Sequence, residues 1–392
     1  MGNVLTNLAA DIYKAADKVG RELIGIIPSV TINGDASEQA AKGDIIRSHF
    51  TRTPTVNSTL APAMTIPEGT DQTVDNKTLT INQFAAVQIP WTGEDIKHVN
   101  NGSGFETIYG DQIQQAMRAI ANTIEAYTWG VAYKGASRAI GTAGTTPFDS
   151  NFDTIAQVRQ ILVDNGCPAN DGMLTLAINS AAGTKLRNLA SLQQVNTSGS
   201  DVLLRQGTLL DLQGLMLKES AGIGIHTKGA GTGYDVDLTA GYNIGDTTIH
   251  LDGGIVNTTG IKAGDCVTFA GDANIYVVGT GTTEVEADIV LNGPGRRATL
   301  ADTVEMTIGN SYTGNLAFHK SAIEVVFRPV AMPEMGGKKL DAAVDVMTVQ
   351  DPFSGLVFTI AVYAGYKKAM MEVSCLYDAK VWKSENVALL LG

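Results

Sequence analysis

The sequence predicts an α+β fold that carries a small inserted β-domain, and three stretches predict it. Residues 104–135 hold one apolar stripe at helical spacing, sustained far longer than a small domain needs. Residues 52–90 are extended, rich in Thr and Pro, and too thin in apolar side chains to build a core of their own. Residues 228–313 lose the helical signal and become short strands between Gly and Asp turns. Mixed helix and strand texture resumes on both sides of this last stretch, so it reads as an insertion rather than a tail.

The first element is an amphipathic helix over 3–24. Val4, Leu8, Ile12, Ala15, Val19 and Leu23 recur three and four residues apart, and Pro28 stops the run. Such a helix either packs on its own core or serves as a terminal arm on a neighbouring chain, which makes Leu8 and Ile12 contact candidates. Residues 36–50 read as a second short helix. Beyond it, TRTPTVNSTLAPAMTIPEGTDQTVDNKTLTINQFAAVQIPW contains Pro54, Pro62, Pro67 and Pro90, with Val74, Leu79, Ile81 and Phe84 in two extended runs. This predicts a long hairpin with a polar tip around Glu68–Lys77. An isolated two-stranded ribbon is an edge that needs a surface to lie on. Glu68, Asp71, Lys77 and Phe84 are therefore further candidates for contact with a neighbour; for Lys77 a salt bridge, or no contact at all, is favoured over an isopeptide crosslink.

The spine of the chain follows. Ile113, Met117, Ile120, Ile124, Tyr127 and Val131 step by four and three. At about 1.5 Å per residue, some 30 residues make a rod of roughly 45 Å. Gly102, Gly104 and Gly135 flank it. Residues 150–225 alternate: a helix in FDTIAQVRQILVDNG that stops at Gly166 and Pro168, a buried strand in MLTLAIN, a helix in SAAGTKLRNLASL with Ser180 as its N-cap, then TLLDLQGLMLKES as two strands about Gly214. Within 228–313, 15 glycines and 11 acidic residues stand against 4 basic ones, and TTIHL, CVTFA, IYVV, EADIVL and VEMTIG are strands at close spacing. That pattern predicts a small barrel or sandwich. DAAVDVMTVQ, LVFTIAVYAGY and AMMEVSCLYDAKVW return to buried sheet.

Charge and cysteine usage narrow the function. The 392 residues carry a net charge of -12, and phosphate neutralisation needs clustered Lys and Arg, so the chain is a poor general nucleic-acid binder. Charged residues are only 17%, which suits surfaces covered by partners. Cys167, Cys266 and Cys375 are far apart and odd in number, which suits a reducing compartment and no disulfide framework. The N-terminus lacks a charged leader and an apolar signal core, and no apolar run reaches the roughly 18 residues of a membrane span. A protein made inside a cell and free of the membrane is expected.

The reactive-looking residues read as structural. His319, Lys320 and Ser321 stand side by side in GNLAFHKSAIEVVFRP, yet neighbours on a strand point to opposite faces and no G-x-S-x-G elbow occurs. The other histidines, His49, His98, His226 and His250, make no H-x-x-x-H pair and lie away from the cysteines. GAGTGY (229–234) and GTGTT (279–283) open no helix, so they are turns rather than phosphate loops. Asp235, Asp237, Asp246, Asp252, Asp265 and Asp272 form no D-x-D-x-D-G loop and read as solvated turn carboxylates.

Three segments resemble a known family. TLLDLQGLMLKES is similar to the segment leading into the insertion of phage coat proteins. KAGDCVTFAGDANIYVV resembles the "GD-x-[FV]-T-[IF]-A-G" strand pair of the inserted domain in the phage P twenty-two coat family. NLAFHKSAIEVVFRP resembles the capsid segment "NL-x-FHK-x-A" that follows that insertion. The resemblance implies a major capsid protein of a tailed double-stranded DNA bacteriophage with the Hong Kong 97 fold. It divides the chain into an N-arm (1–35), a short helical connector (36–51), an E-loop (52–91), the spine helix and start of the P-domain (92–149), the first part of the A-domain (150–227), the inserted β-barrel (228–313), and the return of A- and P-domains (314–392).

It further implies a homo-oligomer of pentamers and hexamers in an icosahedral virion shell. Identical copies in such a shell sit in slightly different settings, so hinges are expected near Gly102, Gly104 and Gly135. The partners would be a scaffolding protein and a portal protein at one vertex. DNA would be enclosed without sequence-specific binding, with no cofactor, metal, catalysis or membrane, and assembly would take place in the bacterial host cytoplasm. After the insertion, Leu316, Phe318 and Ile323 are expected to pack the core. The Gly/Thr/Asp-rich insert also motivates a rival reading, a trimeric tail-fibre or polysaccharide-binding protein. A hydrolase using His319 and Ser321 is the third.

Overall fold

A computed structural model describes residues 6–22, 25–35, 37, 39–51, 56, 62, 64–65, 74–100, 105–194, 211–256, 258–335, 338–351 and 354–392. The first part of the chain forms α1 (Thr6–Glu22), β1 (Thr31–Gly34), β2 (Ile45–Thr51), β3 (Val74–Thr80), β4 (Gln83–Thr92), α2 (Gly93–Asn100), α3 (Phe105–Lys134) and β5 (Arg138–Ile140). The apolar stripe of α3 is real: Ile113, Met117, Ile120 and Ile124 are buried. Helix α1 lies along it with Ile12, Ala15, Ala16 and Val19 in the same core, and Arg118 pairs with Glu22 at 2.5 Å beside them.

Residues 45–51 are a strand, not the helix expected over 36–50. Gly43 takes φ +104°, a left-handed turn that a helix cannot contain, and β2 then runs antiparallel to β3 from Ile45↔Thr80 to Thr51↔Val74. The pairing partners lie 23 to 35 positions further along the chain, and the ladder they form decides the conformation.

The middle of the chain adds α4 (Asp153–Asp164), β6 (Leu174–Ile178), α5 (Ser180–Arg187), α6 (Ala190–Gln193), β7 (Met216–Glu219) and β8 (Ile225–His226). The cap of α5 is Asn179, one residue before Ser180: its side-chain oxygen accepts from the Ala182 amide at 2.9 Å. Next come β9 (Tyr234–Val236), β10 (Thr248–Asp252), β11 (Cys266–Phe269), β12 (Ile275–Thr280), β13 (Ala287–Leu291) and β14 (Glu305–Ile308). The last part holds β15 (Tyr312–His319), β16 (Ile323–Arg328), β17 (Glu334–Met335), β18 (Lys338–Lys339), β19 (Ala343–Gln350), β20 (Val357–Gly365), β21 (Lys368–Val381) and β22 (Val387–Leu391).

Two sheets organise these elements. In one, β21 carries β4 on one edge and β16 and β20 end to end on the other; β1 extends it beyond β16 and β19 beyond β20. Helix α3 packs across β21 and β4. The other sheet runs β7-β6-β15-β22-β5, covered by Ile155, Val158 and Leu162 of α4 and by Ala182 and Leu186 of α5. It continues through β5 into β12. Strands β11, β14, β9, β10, β13 and β12 pair in that cyclic order, and β12 returns to β11, so the six close into a barrel. Its core is Tyr234, Val236, Ile249, Leu251, Val267, Phe269, Tyr276 and Ile289, separate from the cores of the two sheets. The chain enters through β8 and leaves through β15, which pair with each other, Tyr312↔His226 and Thr313↔Ile225. The α+β class expected from the sequence holds.

Candidate assembly surfaces and their internal anchors

The sequence-derived contact candidates are scattered by the fold. Ile12 is 2% exposed and spent on the chain's own core, because its face of α1 meets α3. Leu8 lies in α1, but its side chain, like Glu68, Asp71, Gly102 and Gly104, falls outside the described residues. Lys77 is in the middle of β3 rather than at a tip, and its ammonium donates to the Trp382 carbonyl of the same chain. Lys380 reaches back to the Thr78 carbonyl. With Leu79 and Ile81 packed against Val326 and Leu376, these bonds strap the base of the β2–β3 ribbon to the end of β16 and β21.

Phe84 is 50% exposed on the outer face of β4, where Ala86, Gln88, Pro90 and Thr92 also point outward. Among the described residues, the outer edges of β4 and β19 are unpaired. Val344 on β19 and Val74 at the far end of the ribbon are 67% and 59% exposed. The two-residue turn between β20 and β21 thrusts out Tyr366, beside a shallow groove of about 700 Å³ lined by Trp91, Glu94, Ile96 and Lys368. Gly135 is no open hinge. A Cβ there would meet Val381 Cγ2 at 2.6 Å, so glycine is needed for the close approach of the spine's end to β21.

Two buried polar clusters that the sequence did not signal fix the large elements. Glu125, 6% exposed in the middle of α3, accepts from the amides of Ile26 and Ile27, the latter at 2.9 Å, and from Ser220 Oγ at 2.7 Å. One carboxylate thus ties the segment after α1, the spine and the end of β7. The only hint lay in spacing: Glu125 falls between Ala121 and Trp129 on a buried row of the helix.

The second cluster sits at the barrel's stem. His226 Nε2 meets Asp265 Oδ1 at 2.7 Å and Nδ1 meets Tyr133 Oη at 3.2 Å, while Asp265 accepts from the amides of Gly229 and Lys262. Tyr312 donates to the Gly264 carbonyl at 2.6 Å. Burial raises the Tyr312 phenol far above its ordinary value and pushes the adjacent Cys266 thiol up to about 12, so both stay neutral. Asp265, 1% exposed, is therefore not the solvated turn carboxylate expected. Nor is Asp272, which faces the buried Arg296 at 3.5 Å and accepts from Tyr276. All three cysteines are buried and free.

Leu316, Phe318 and Ile323 are fully buried where the chain rejoins the core. His319 and Ser321 do touch, contrary to the expectation of no contact within this run: they are two residues apart, and β15 ends in a 3-10 turn that His319 caps. Its Nδ1 faces Ser321 Oγ at 2.8 Å and accepts from the Ser321 amide at 3.2 Å; Nε2 meets Asp171 Oδ2 at 2.7 Å. The bond to His319 holds the Asp171 carboxyl below the usual carboxylate range. A nitrogen already engaged by the backbone is a cap, not a free base for the hydroxyl.

Among the described residues, no helix is long and apolar enough to cross a membrane. No family model matches the chain, and no curated protein matches it. Solved structures do. Mycobacterium phage Che8 is 16% identical at a TM-score of 0.46, covering 89% of this chain and 85% of that one. The capsid of cyanophage P-SCSP1u is 11% identical at 0.49, covering 93% and 86%. The asymmetric unit of the bacteriophage PhiM1 mature capsid is 10% identical at 0.47, covering 92% and 85%.

Proposed function

We propose that this chain is the major capsid protein of a tailed double-stranded DNA phage, assembling by packing rather than catalysis on the Hong Kong 97 plan. In this reading α1 belongs to the N-arm, β2–β3 to the E-loop, and α3 is the spine. The sheet around β21 is the P-domain, the sheet around β15 the A-domain, and the barrel the inserted domain. The observation that carries it is the β2–β3 ribbon: a seven-residue ladder paired with no third strand among the described residues, strapped down at its base and exposing Val74 at its far end. Such a ribbon is marginal alone and stable when laid on another subunit. Phe84 and the unpaired edges of β4 and β19 offer further surface. Individually weak contacts suffice, since each subunit makes many at once.

The shell would consist of pentamers and hexamers, with a scaffolding protein during assembly and a portal at one vertex. It would form in the host cytoplasm, and the net charge of -12 would keep its lining from holding the enclosed DNA. Electron microscopy and sedimentation of the purified chain, with and without scaffold, test this. Closed shells are expected, and Phe84→Asp and Val74→Asp should reduce their yield while far-UV circular dichroism stays that of the parent. Discrete trimers in every condition would refute it.

The polysaccharide-binding alternative loses its platform. The insert's five aromatics are Tyr234, Tyr242, Phe269, Tyr276 and Tyr312; four are at most 2% exposed and Tyr242 packs on the barrel core.

A further inference from the structure

One group of side chains on the barrel serves neither the core nor the stem. His250 lies in the middle of β10, between Ile249 and Leu251, which are fully buried, so its ring points outward. Strand pairing puts Asp288 of β13 directly opposite, and His250 Nδ1 meets Asp288 Oδ1 at 2.6 Å. On the other side, the Asp237 amide donates to the His250 carbonyl at 3.1 Å, which brings Asp237 alongside. Glu286, just before β13, places Oε1 3.6 Å from His250 Nε2. One ligand atom each from Asp237, His250 and Glu286 lies within 4.8 Å of the others.

We propose that Asp237, His250 and Glu286 bind a divalent transition-metal ion of the zinc class on the outer face of the barrel, with Asp288 as the positioning residue for His250. The bond to Asp288 orients the ring so that Nε2 faces Glu286 and Asp237, and a bound ion would take the place of any proton on Nε2. Metal-bound histidines are oriented in this way, by a carboxylate on the far nitrogen. Neighbouring ligands about a tetrahedral zinc, at roughly 2.0–2.1 Å each, are about 3.3 Å apart, and the Nε2–Oε1 separation is near that value. Asp237 and Glu286 are exposed and need only rotamer changes to close in. Three carboxylates on neighbouring strands repel one another, and a bound dication removes that penalty. The imidazole nitrogen selects zinc, cobalt, nickel or copper over calcium and magnesium, which favour oxygen. A bound ion would link β9, β10 and β13, three neighbouring staves of the barrel.

The test is isothermal titration of the full chain, freed of metal by a chelator and returned to buffer at neutral pH, with zinc chloride. Cobalt absorption would report the coordination number. One ion per chain is expected. His250→Ala and Glu286→Gln should each weaken binding at least tenfold, and Asp288→Asn by about tenfold to a hundredfold. His98→Ala, a change at an exposed histidine elsewhere, should leave the isotherm unaltered. All the altered side chains are on the surface, and circular dichroism confirms that each variant is folded. Absence of a saturable one-to-one site, or zinc binding that survives both His250→Ala and Glu286→Gln, would overturn the proposal. So would calcium binding as tight as zinc.

Discussion

Replacing Glu125 should be among the most damaging single changes in the chain, although it touches no exposed surface. In Glu125→Ala the amides of Ile26 and Ile27 and the hydroxyl of Ser220 all lose their acceptor, and Ile26 and Ile27 are fully buried. A buried polar group left unsatisfied costs about 1–3 kcal/mol. Three such groups, with some relaxation and water entry, put the loss at roughly 3–6 kcal/mol, a large part of the ~5–15 kcal/mol typical of a folded domain. Glu125→Gln keeps one acceptor and turns a donor toward the others, for about 2–3 kcal/mol. Gly25→Ala should act in the same direction through a different residue, because a Cβ at Gly25 would run into the Glu125 carboxylate. Urea unfolding of the purified chain measures the loss, and hydrogen exchange at the Ile26 and Ile27 amides localises it. A Glu125→Ala chain within 1 kcal/mol of the parent, with both amides still protected, would show that water replaces the carboxylate and that the clamp is not structural.

Three further outcomes are expected. Gly135→Ala should destabilise by about 1–3 kcal/mol through overpacking on Val381, and Val381→Ala in the same chain should recover part of it; additive losses in urea melts would refute the contact. Phe318→Ala, at a fully buried position, should cost about 3–5 kcal/mol, read as a lower urea midpoint at unchanged slope. Asp171 has a folded pKa depressed chiefly by its bond to His319. Its contribution to stability is therefore present above the unfolded value near 3.9 and lost as pH falls through the lower folded value. Carbon-detected titration should show the Asp171 midpoint rise when His319 becomes Ala, and an unchanged midpoint would remove His319 as the cause.

What was legible in the sequence is what depends on period. The spine stripe, α4, β6 and five of the six barrel strands repeat apolar residues at 3.6 or 2 over enough length to outweigh local noise. The missed strand, β9, has three residues, Tyr234–Val236, too few for any period to show. The strand β2 was missed for the opposite reason: an Ala-rich lead-in favours helix locally, and only the ladder to β3 decides it. The Thr-rich run carries no period that separates a tip from a strand, so Lys77 reads from sequence as a tip contact for a neighbour, whereas it lies within β3 and bonds to Trp382 of its own chain.

The buried carboxylates show a deeper limit. Asp265 and Asp237 sit in similar Gly- and Asp-rich stretches, yet one is 1% exposed beneath His226 and the other lies on the outer face beside His250. Composition cannot separate them, because the difference is made by partners 39 and 13 positions away that only the closed barrel brings near. The same closure explains why the insert can hold its place on so short a stem. Its entry and exit strands pair for two residues, too little to orient a barrel, so the orientation must come from elsewhere. The His226–Asp265–Tyr133 chain supplies it by joining the barrel to the spine, and the β12–β5 ladder joins it to the second sheet. The insert is thus held at three points: the β8–β15 pair, the side-chain chain to the spine, and the β12–β5 ladder.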